Sequence, residues 1–318
     1  KLLNLMIVEN GYSSVKNLSA IPEFVDTFIA AESQAKTYKL KMWSGETDPM
    51  YNYNGAQEIS LLELKYAIIE TMQVPDFENP YDGGNYKIYG TVAGYADNTL
   101  FIQKYFSKAD GSEKDEGEYA SLNIFTGMGS LATRFKKVNS YVMIIGTFQV
   151  SENFGMQLTN ASFPAVTKAP TDCDVIYKPD AIPEELKVNY FESTITDLSS
   201  KVPNVQEADL DWLYSPVIIS DEVTVTGGYV SSSSSTDITL YVSPVGTTTK
   251  LNVNVYLTFL YYGDPVNHPY DVWNSVDRFM GKTFKLQGIF SCYFSSTASK
   301  YYFQIILRDA DDFVCQNH

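Results

Sequence analysis

The side chains best equipped for chemistry in this 318-residue sequence are aromatic. Two sets stand in or beside strand-like stretches: Tyr95, Phe101, Phe125 and Phe154, then Tyr229, Tyr241, Tyr256 and Tyr293. Their rings can stack on a base or on the flat face of a sugar, and a tyrosine adds a hydroxyl at its tip. Period-two alternation sends every other strand residue inward. Phe101 and Phe125 are therefore expected in a core, and Tyr95 and Tyr229 at the surface.

Catalytic chemistry has few carriers. His268 and the terminal His318 are the histidines of the chain, and His268 sits between Asn267 and Pro269, a turn context. There is no Gly-x-Ser-x-Gly and no paired histidine at helical spacing. Gly127-Met128-Gly129 lacks the third glycine of a phosphate-binding loop. With 38 acidic residues some carboxylate pair is always at hand, so spacing singles out no glycosidase pair. Asp110, Glu113, Asp115, Glu116 and Glu118 offer the oxygens that calcium takes, but not at EF-hand spacing, and a solvated acidic loop is the expectation. No enzyme, metal or cofactor is expected.

The aromatic residues need strands to position them. Lys87 to Val92 alternates with period two, and Thr99 to Gln103 does so again after a turn at 96–98. Ala120 to Thr126 gives a third strand, Gly127 to Phe135 a short helical turn, and Tyr141 to Phe148 with Gly155 to Phe163 a closing hairpin. Three strands, a short helix and two strands is the order of the OB-fold, a five-stranded Greek-key barrel that binds ligands on the face of its second and third strands. Gly90 and Gly146 interrupt two strands where such a barrel needs a bulge or bend.

The pattern recurs. Glu222 to Gly228 and Asp237 to Val242 match the first hairpin, and Arg278-Phe279 followed by Thr283 to Phe290 match Arg134-Phe135 followed by Tyr141 to Phe148. The expected fold is mainly β, with tandem five-stranded OB-like Greek-key barrels, short helices and an N-terminal extension. Its parts are an extension over 1–56, a first OB-like domain with a leading helix over 57–163, a linker with short helices over 164–216, and a second OB-like domain over 217–318.

Ile59 to Lys65, Tyr86 to Val92 and Leu100 to Gln103 together resemble an OB-like domain of unknown function found in secreted Bacteroidetes lipoproteins, whose members open with an "isi-x-eLK" helix and continue through "i-x-G-x-V" to "yIQD". Lys104 stands where that pattern has its acidic residue. The resemblance covers residues 57–163 and implies a cell-envelope protein, with no reaction attached. It places the chain outside the cell or on its surface, as an outer-membrane lipoprotein whose N-terminal lipid anchor and leader have been removed.

Composition narrows the partners. The net charge is −15, and 24 tyrosines outnumber 18 phenylalanines, which suits half-buried β surfaces. Residues 86–163 carry seven basic and seven acidic side chains and residues 217–318 six and nine, so neither barrel has the basic stripe that phosphate contacts require. Cys173, Cys292 and Cys315 lack metal-site spacing; Cys292 and Cys315 meet only if the last strand returns to the closing hairpin, and unpaired thiols are the expectation.

At the N-terminus Leu2 to Val8, Phe24 to Ile29 and Tyr38 to Trp43 read as strands. Ser60-Leu61-Leu62-Glu63 is a capping box opening a helix that abuts the first barrel. Short helices around Pro183 to Leu186 and Thr194 to Lys201 suggest that the linker packs on both barrels. The function expected is non-catalytic binding or assembly at the cell surface, toward a protein or glycan ligand. The alternatives are a single-stranded nucleic-acid binder, disfavoured by charge, and a carbohydrate-binding module.

Overall fold

The computed structural model describes residues 2–15, 21–44, 56–96, 98–127, 131–151, 155–162, 175–231, 237–247, 251, 253–258, 276–295 and 297–316. The chain divides into two compact units, Lys1–Gly55 with Ala165–Cys173, and Ala56–Pro164 with Asp174–His318. Among the described residues no helix is long and apolar enough to cross a membrane.

The smaller unit is helical where strands were expected. Leu2 to Val8 falls mostly in α1 (Leu3–Glu9), and Phe24 to Ile29 enters α2 (Val25–Thr37). Phe28, Ala31 and Ala35 recur at helical spacing along α2, and Phe28 and Ala31 bury against Val8. Asp26 in the first turn, Lys36 in the last and the Glu32–Lys36 pair at 2.7 Å all favour the helix over a strand. Tyr38 to Trp43 is not extended either, because Lys39 and Lys41 take left-handed φ of 51° and 46°.

In the larger unit β1 (Gln57–Glu58) runs parallel to the start of the first barrel, and α3 (Leu61–Gln73) follows at once. The capping box is formed: Ser60 accepts from the Leu62 amide at 3.1 Å and Glu63 from the Ser60 amide at 3.4 Å. Leu61, Leu64, Ile68 and Met72 share the buried face of α3.

Five strands close the first barrel: β2 (Asn85–Ala96), β3 (Thr99–Phe106), β4 (Glu118–Phe125), β5 (Tyr141–Ser151) and β6 (Gly155–Ser162). β2 pairs antiparallel with β3 and β5, β3 with β4, and β5 with β6; β6 lies parallel to β4 and completes the ring. This is the expected OB-like order. Ile88, Ile102, Leu122 and Ile144 pair across the ladders and fill the interior. Between β4 and β5, α4 (Thr133–Lys136) buries Phe135.

The two marker glycines act differently. Gly146 sits at a register shift between Ile145 and Thr147, the bulge expected, and a Cβ there would lie 2.6 Å from the Thr159 carbonyl oxygen. Gly90 is not at a bulge. A Cβ on it would press on Ile102 and Leu61 at 3.0–3.2 Å, so its small size admits Leu61 of α3 to the barrel.

The described part of the linker is bound to the first barrel at several points. The Thr91 hydroxyl donates to the Leu186 carbonyl at 2.5 Å, the Val188 amide to Asn139 at 2.9 Å, and the hydroxyls of Ser121 and Ser215 meet at 2.7 Å. It then adds β7 (Phe191–Ser193) to the second barrel and caps α5 (Ile195–Ser200) with Thr194, which buries Ile195 and Leu198.

The second barrel repeats the first with β8 (Pro216–Val230), β9 (Asp237–Pro244), β10 (Val253–Thr258), β11 (Thr283–Ser295) and β12 (Lys300–Ile306). β8 closes on β11, and β12 runs parallel to β10. Gly288 repeats the crowding of Gly146, with its Cβ position 2.5 Å from the Ile306 carbonyl oxygen, and Phe279 is buried as Phe135 is. A short β13 (Phe313–Cys315) edges β11 and places Cys315 opposite Phe284; Cys292 lies opposite Phe303, so the two thiols are not joined. One hydrophobic cluster runs through both barrels.

The loop over 104–119 is shorter than expected, because β3 extends to Phe106 and β4 begins at Glu118. It is also not wholly solvated. Asp110 caps Ser107 and Asp115 pairs with Lys108 at the surface, but Glu118 is buried against Lys65 at 3.1 Å. Among the described residues no group of histidine, cysteine and carboxylate side chains is gathered as a metal site would require.

Candidate ligand-binding groove

Tyr229 is near the end of β8, Tyr241 lies in β9, Tyr293 is near the end of β11 and Tyr302 near the start of β12. The two hairpins that these strands form bring the four rings to one groove of about 920 Å³. That is within the range of small-ligand sites, about 300–1,000 Å³. Tyr293 and Tyr302 are directly opposite in register and stacked, with centroids 5.4 Å apart and planes at 19°. Tyr229 and Tyr241 are tilted at 59° with centroids 6.3 Å apart.

Electrostatically the groove is close to neutral. Among the described residues that line it, Lys300 carries the single charge, and its ammonium sits 4.6 Å from the Tyr302 ring centroid. Burial, then the neighbouring Tyr229 and Tyr302, raise the Tyr241 hydroxyl above its ordinary range. Burial also raises Tyr293, whose hydroxyl hydrogen-bonds that of Tyr229. Tyr241 and Tyr293 are thus held protonated at neutral pH, and a phenol hydroxyl offers a donor and an acceptor at the tip of an apolar ring.

A second wall comes from outside the barrel. Val202 to Gln206 of the linker and Met72 of α3 also line the groove. Asn204 caps the turn over Val205–Glu207, its Oδ1 accepting from the Glu207 amide at 3.1 Å. The Gln206 side chain is exposed there.

Of the aromatic residues singled out from sequence, Tyr229, Tyr241 and Tyr293 thus come together. Tyr229 is 44% exposed, as expected. Tyr256, on β10, is half-buried and does not line the groove. Tyr302 was missed; the signal for it is its place in the last strand, facing Tyr293 across the closing hairpin.

The first-barrel set is not gathered in this way. Tyr95 is half-buried rather than exposed, with Lys136 over its ring at 4.1 Å and its hydroxyl 3.4 Å from Asn98. Phe125 is half-buried at the end of β4. Phe154 lies outside the described residues. Phe101 is 1% exposed, yet alternation puts it on the outer face of the barrel, opposite to Ile102.

Phe101 and Tyr241 occupy equivalent places. β2 shifts register between Val92 and Gly94, and Gly94 then faces Phe101; β8 shifts between Val225 and Gly227, and Gly227 then faces Tyr241. The first barrel's version of this face is covered. A Cβ on Gly94 would strike the Arg308 side chain at 2.4 Å, and Gln103, two residues from Phe101, is bonded to linker residue Asn189. The second barrel's version is open.

No protein-family model matches the chain, and no curated protein matches it. Among solved structures, a chain of a replication protein A heterotrimer bound to single-stranded DNA is similar to it at 13% identity and a TM-score of 0.23. The match covers 73% of this chain and 51% of that one, so the chain spans about half the length of its match; likeness at this level adds nothing to the fold already described.

Proposed function

We propose that the chain is a non-catalytic binding protein of the cell envelope that takes a neutral oligosaccharide in the tyrosine groove of its second barrel. The observation that carries this reading is the convergence of Tyr229, Tyr241, Tyr293 and Tyr302 on one groove of about 920 Å³ with a single charged lining residue among those described. Rings stack on the apolar faces of sugars, phenol hydroxyls pair with sugar hydroxyls, and a neutral ligand brings no charge to desolvate. The cell-envelope placement is supported by the sequence resemblance alone.

A polyanion fits less well. Binding a nucleic-acid strand requires a cation for each phosphate neutralised, and the groove offers Lys300 in a protein of net charge −15.

The test is isothermal titration of the full chain with cellohexaose, laminarihexaose, xylohexaose and mannohexaose, with oligo-dT beside them. Saturable binding of one or more hexaoses that is lost in Tyr241→Ala is the expected result. Binding of oligo-dT that falls steeply with salt, no hexaose binding, or turnover of a bound sugar would each overturn the reading.

A further inference from the structure

The groove's second wall is held from the first barrel. Gln73, at the end of α3, donates through one amide nitrogen to two carbonyls of the linker, Val205 at 3.2 Å and Ala208 at 2.7 Å. These two carbonyls bracket the turn over Val205–Glu207 that Asn204 caps. The helix carrying Gln73 begins at Leu61, which reaches the first barrel beside Gly90. Gln73 therefore joins a helix packed on one barrel, by hydrogen bonds, to the wall of the groove on the other.

What the turn presents is Gln206. Its side chain is exposed at the groove, and no hydrogen bond engages it among the described residues. Asn204, in contrast, is committed at both ends, accepting from the Glu207 amide and donating to the Glu207 carboxylate at 2.7 Å. A free carboxamide has two donors and an acceptor in one plane, a match for adjacent hydroxyls on a sugar ring. The tyrosines stack without distinguishing one ring from its epimers; an amide carried on a held turn distinguishes them by whether a hydroxyl is there to meet it.

We infer that the groove is a shared site, in which Gln206 reads the hydroxyl pattern of a neutral sugar stacked on the tyrosines and Gln73 is the positioning residue that fixes the turn bearing Gln206. This rests on the neutral-oligosaccharide reading of the groove. It adds that the linker wall, and through it the first barrel, sets the preference among sugars.

The experiment is titration of the full chain with the same four hexaoses, using Gln206→Ala, Gln73→Met, Gln73→Arg and Tyr241→Ala. Gln206→Ala should weaken the best-bound hexaose about tenfold and flatten the preference among the four, as losing one or two hydrogen bonds implies. Gln73→Met keeps the length of the side chain without its donors and should do the same, whereas Gln73→Arg restores donors and should recover both affinity and preference. Thermal unfolding of each variant separates this from a general loss of structure. If Tyr241→Ala abolishes binding while Gln206→Ala and Gln73→Met keep the wild-type affinity and preference, the shared site is wrong and the groove reading stands. If the wild-type chain binds none of the hexaoses, the groove reading fails and this inference goes with it.

Discussion

Gln103 holds Asn189 by both halves of its side-chain amide: Oε1 accepts the Asn189 backbone amide at 2.7 Å, and Nε2 donates to the Asn189 carbonyl at 3.2 Å. Gln103 belongs to the outer face of β3 and is 1% exposed. The face on which an OB-like barrel takes its ligand is therefore, in the first barrel, a surface for packing the linker. The two barrels have the same strand order, and the face that the linker covers in the first carries the tyrosine groove in the second.

Gln103→Met keeps much of the side-chain volume and leaves both backbone groups of Asn189 without their partner. Each orphaned group costs about 1–3 kcal/mol, so stability should fall by about 2–6 kcal/mol. The urea midpoint should drop with an unchanged slope. A change within about 0.5 kcal/mol would mean that water replaces Gln103 freely.

The strand order was legible because its signals are local: alternation, the Gly146 bulge, and the repeated Arg-Phe step at Arg134-Phe135 and Arg278-Phe279. The helix at Leu61 was legible through its capping box. Phe24 to Ile29 was misread because six residues are too few to separate a strand from the first turns of a helix: the stretch holds one buried residue, Phe28, and the helical spacing shows only when Ala31 and Ala35 are added. Three groove tyrosines followed from the barrel pattern. The wall did not, because Gln73 and Val205 are joined by a bond that spans most of the first barrel and linker. Nor did the opposite fates of Phe101 and Tyr241, since what covers Phe101 comes from the linker and from Arg308.

Lys65 and Glu118 form a buried pair at 3.1 Å, with the Tyr66 hydroxyl donating to Glu118 and Asp211 3.9 Å from Lys65. Burial alone would raise the Glu118 carboxyl, but the Tyr66 hydrogen bond and the Lys65 charge outweigh it and leave the group below its ordinary 4.5. A carboxyl depressed in the folded state adds stability that is fully present above its unfolded value and is lost as pH falls through the folded one. Urea midpoints should thus decline below about pH 4.5, and Glu118→Gln should flatten that decline. Lys65→Met takes from Glu118 its buried cation and leaves the more distant Lys114 at 3.8 Å, so it should cost up to about 3–5 kcal/mol, much of it recovered in the double variant Lys65→Met/Glu118→Leu.

Arg308 joins the barrels. Its Nε and Nη2 donate to Asp312 at 2.8 and 2.6 Å, and Nη1 donates to the Ala93 carbonyl of the first barrel and to the Tyr190 hydroxyl of the linker, each at 3.1 Å. The planar fork that serves all three partners is particular to arginine. Arg308→Ala leaves Asp312, which is 1% exposed, without its cation and should cost about 3–5 kcal/mol in chemical denaturation. Arg308→Lys should recover less than half of that loss, since one ammonium cannot span the same partners; full recovery would show that charge alone matters.

The groove itself makes a prediction about conditions. Burial raises the hydroxyls of Tyr241 and Tyr293, and Lys300 over the Tyr302 ring is the single charge among the described lining residues. A phenol whose folded value is raised stays protonated through the range in which a free tyrosine does, and beyond it. Affinity for the best-bound hexaose should therefore be flat between about pH 6 and about pH 9. It should also be flat between about 50 mM and about 500 mM salt, where binding through several phosphate contacts would fall by orders of magnitude. Titrations across both ranges check this. A tenfold loss with salt would place charged contacts at the centre of recognition and remove the neutral-ligand reading, while a transition near pH 7 would require a titrating group that the tyrosines do not supply.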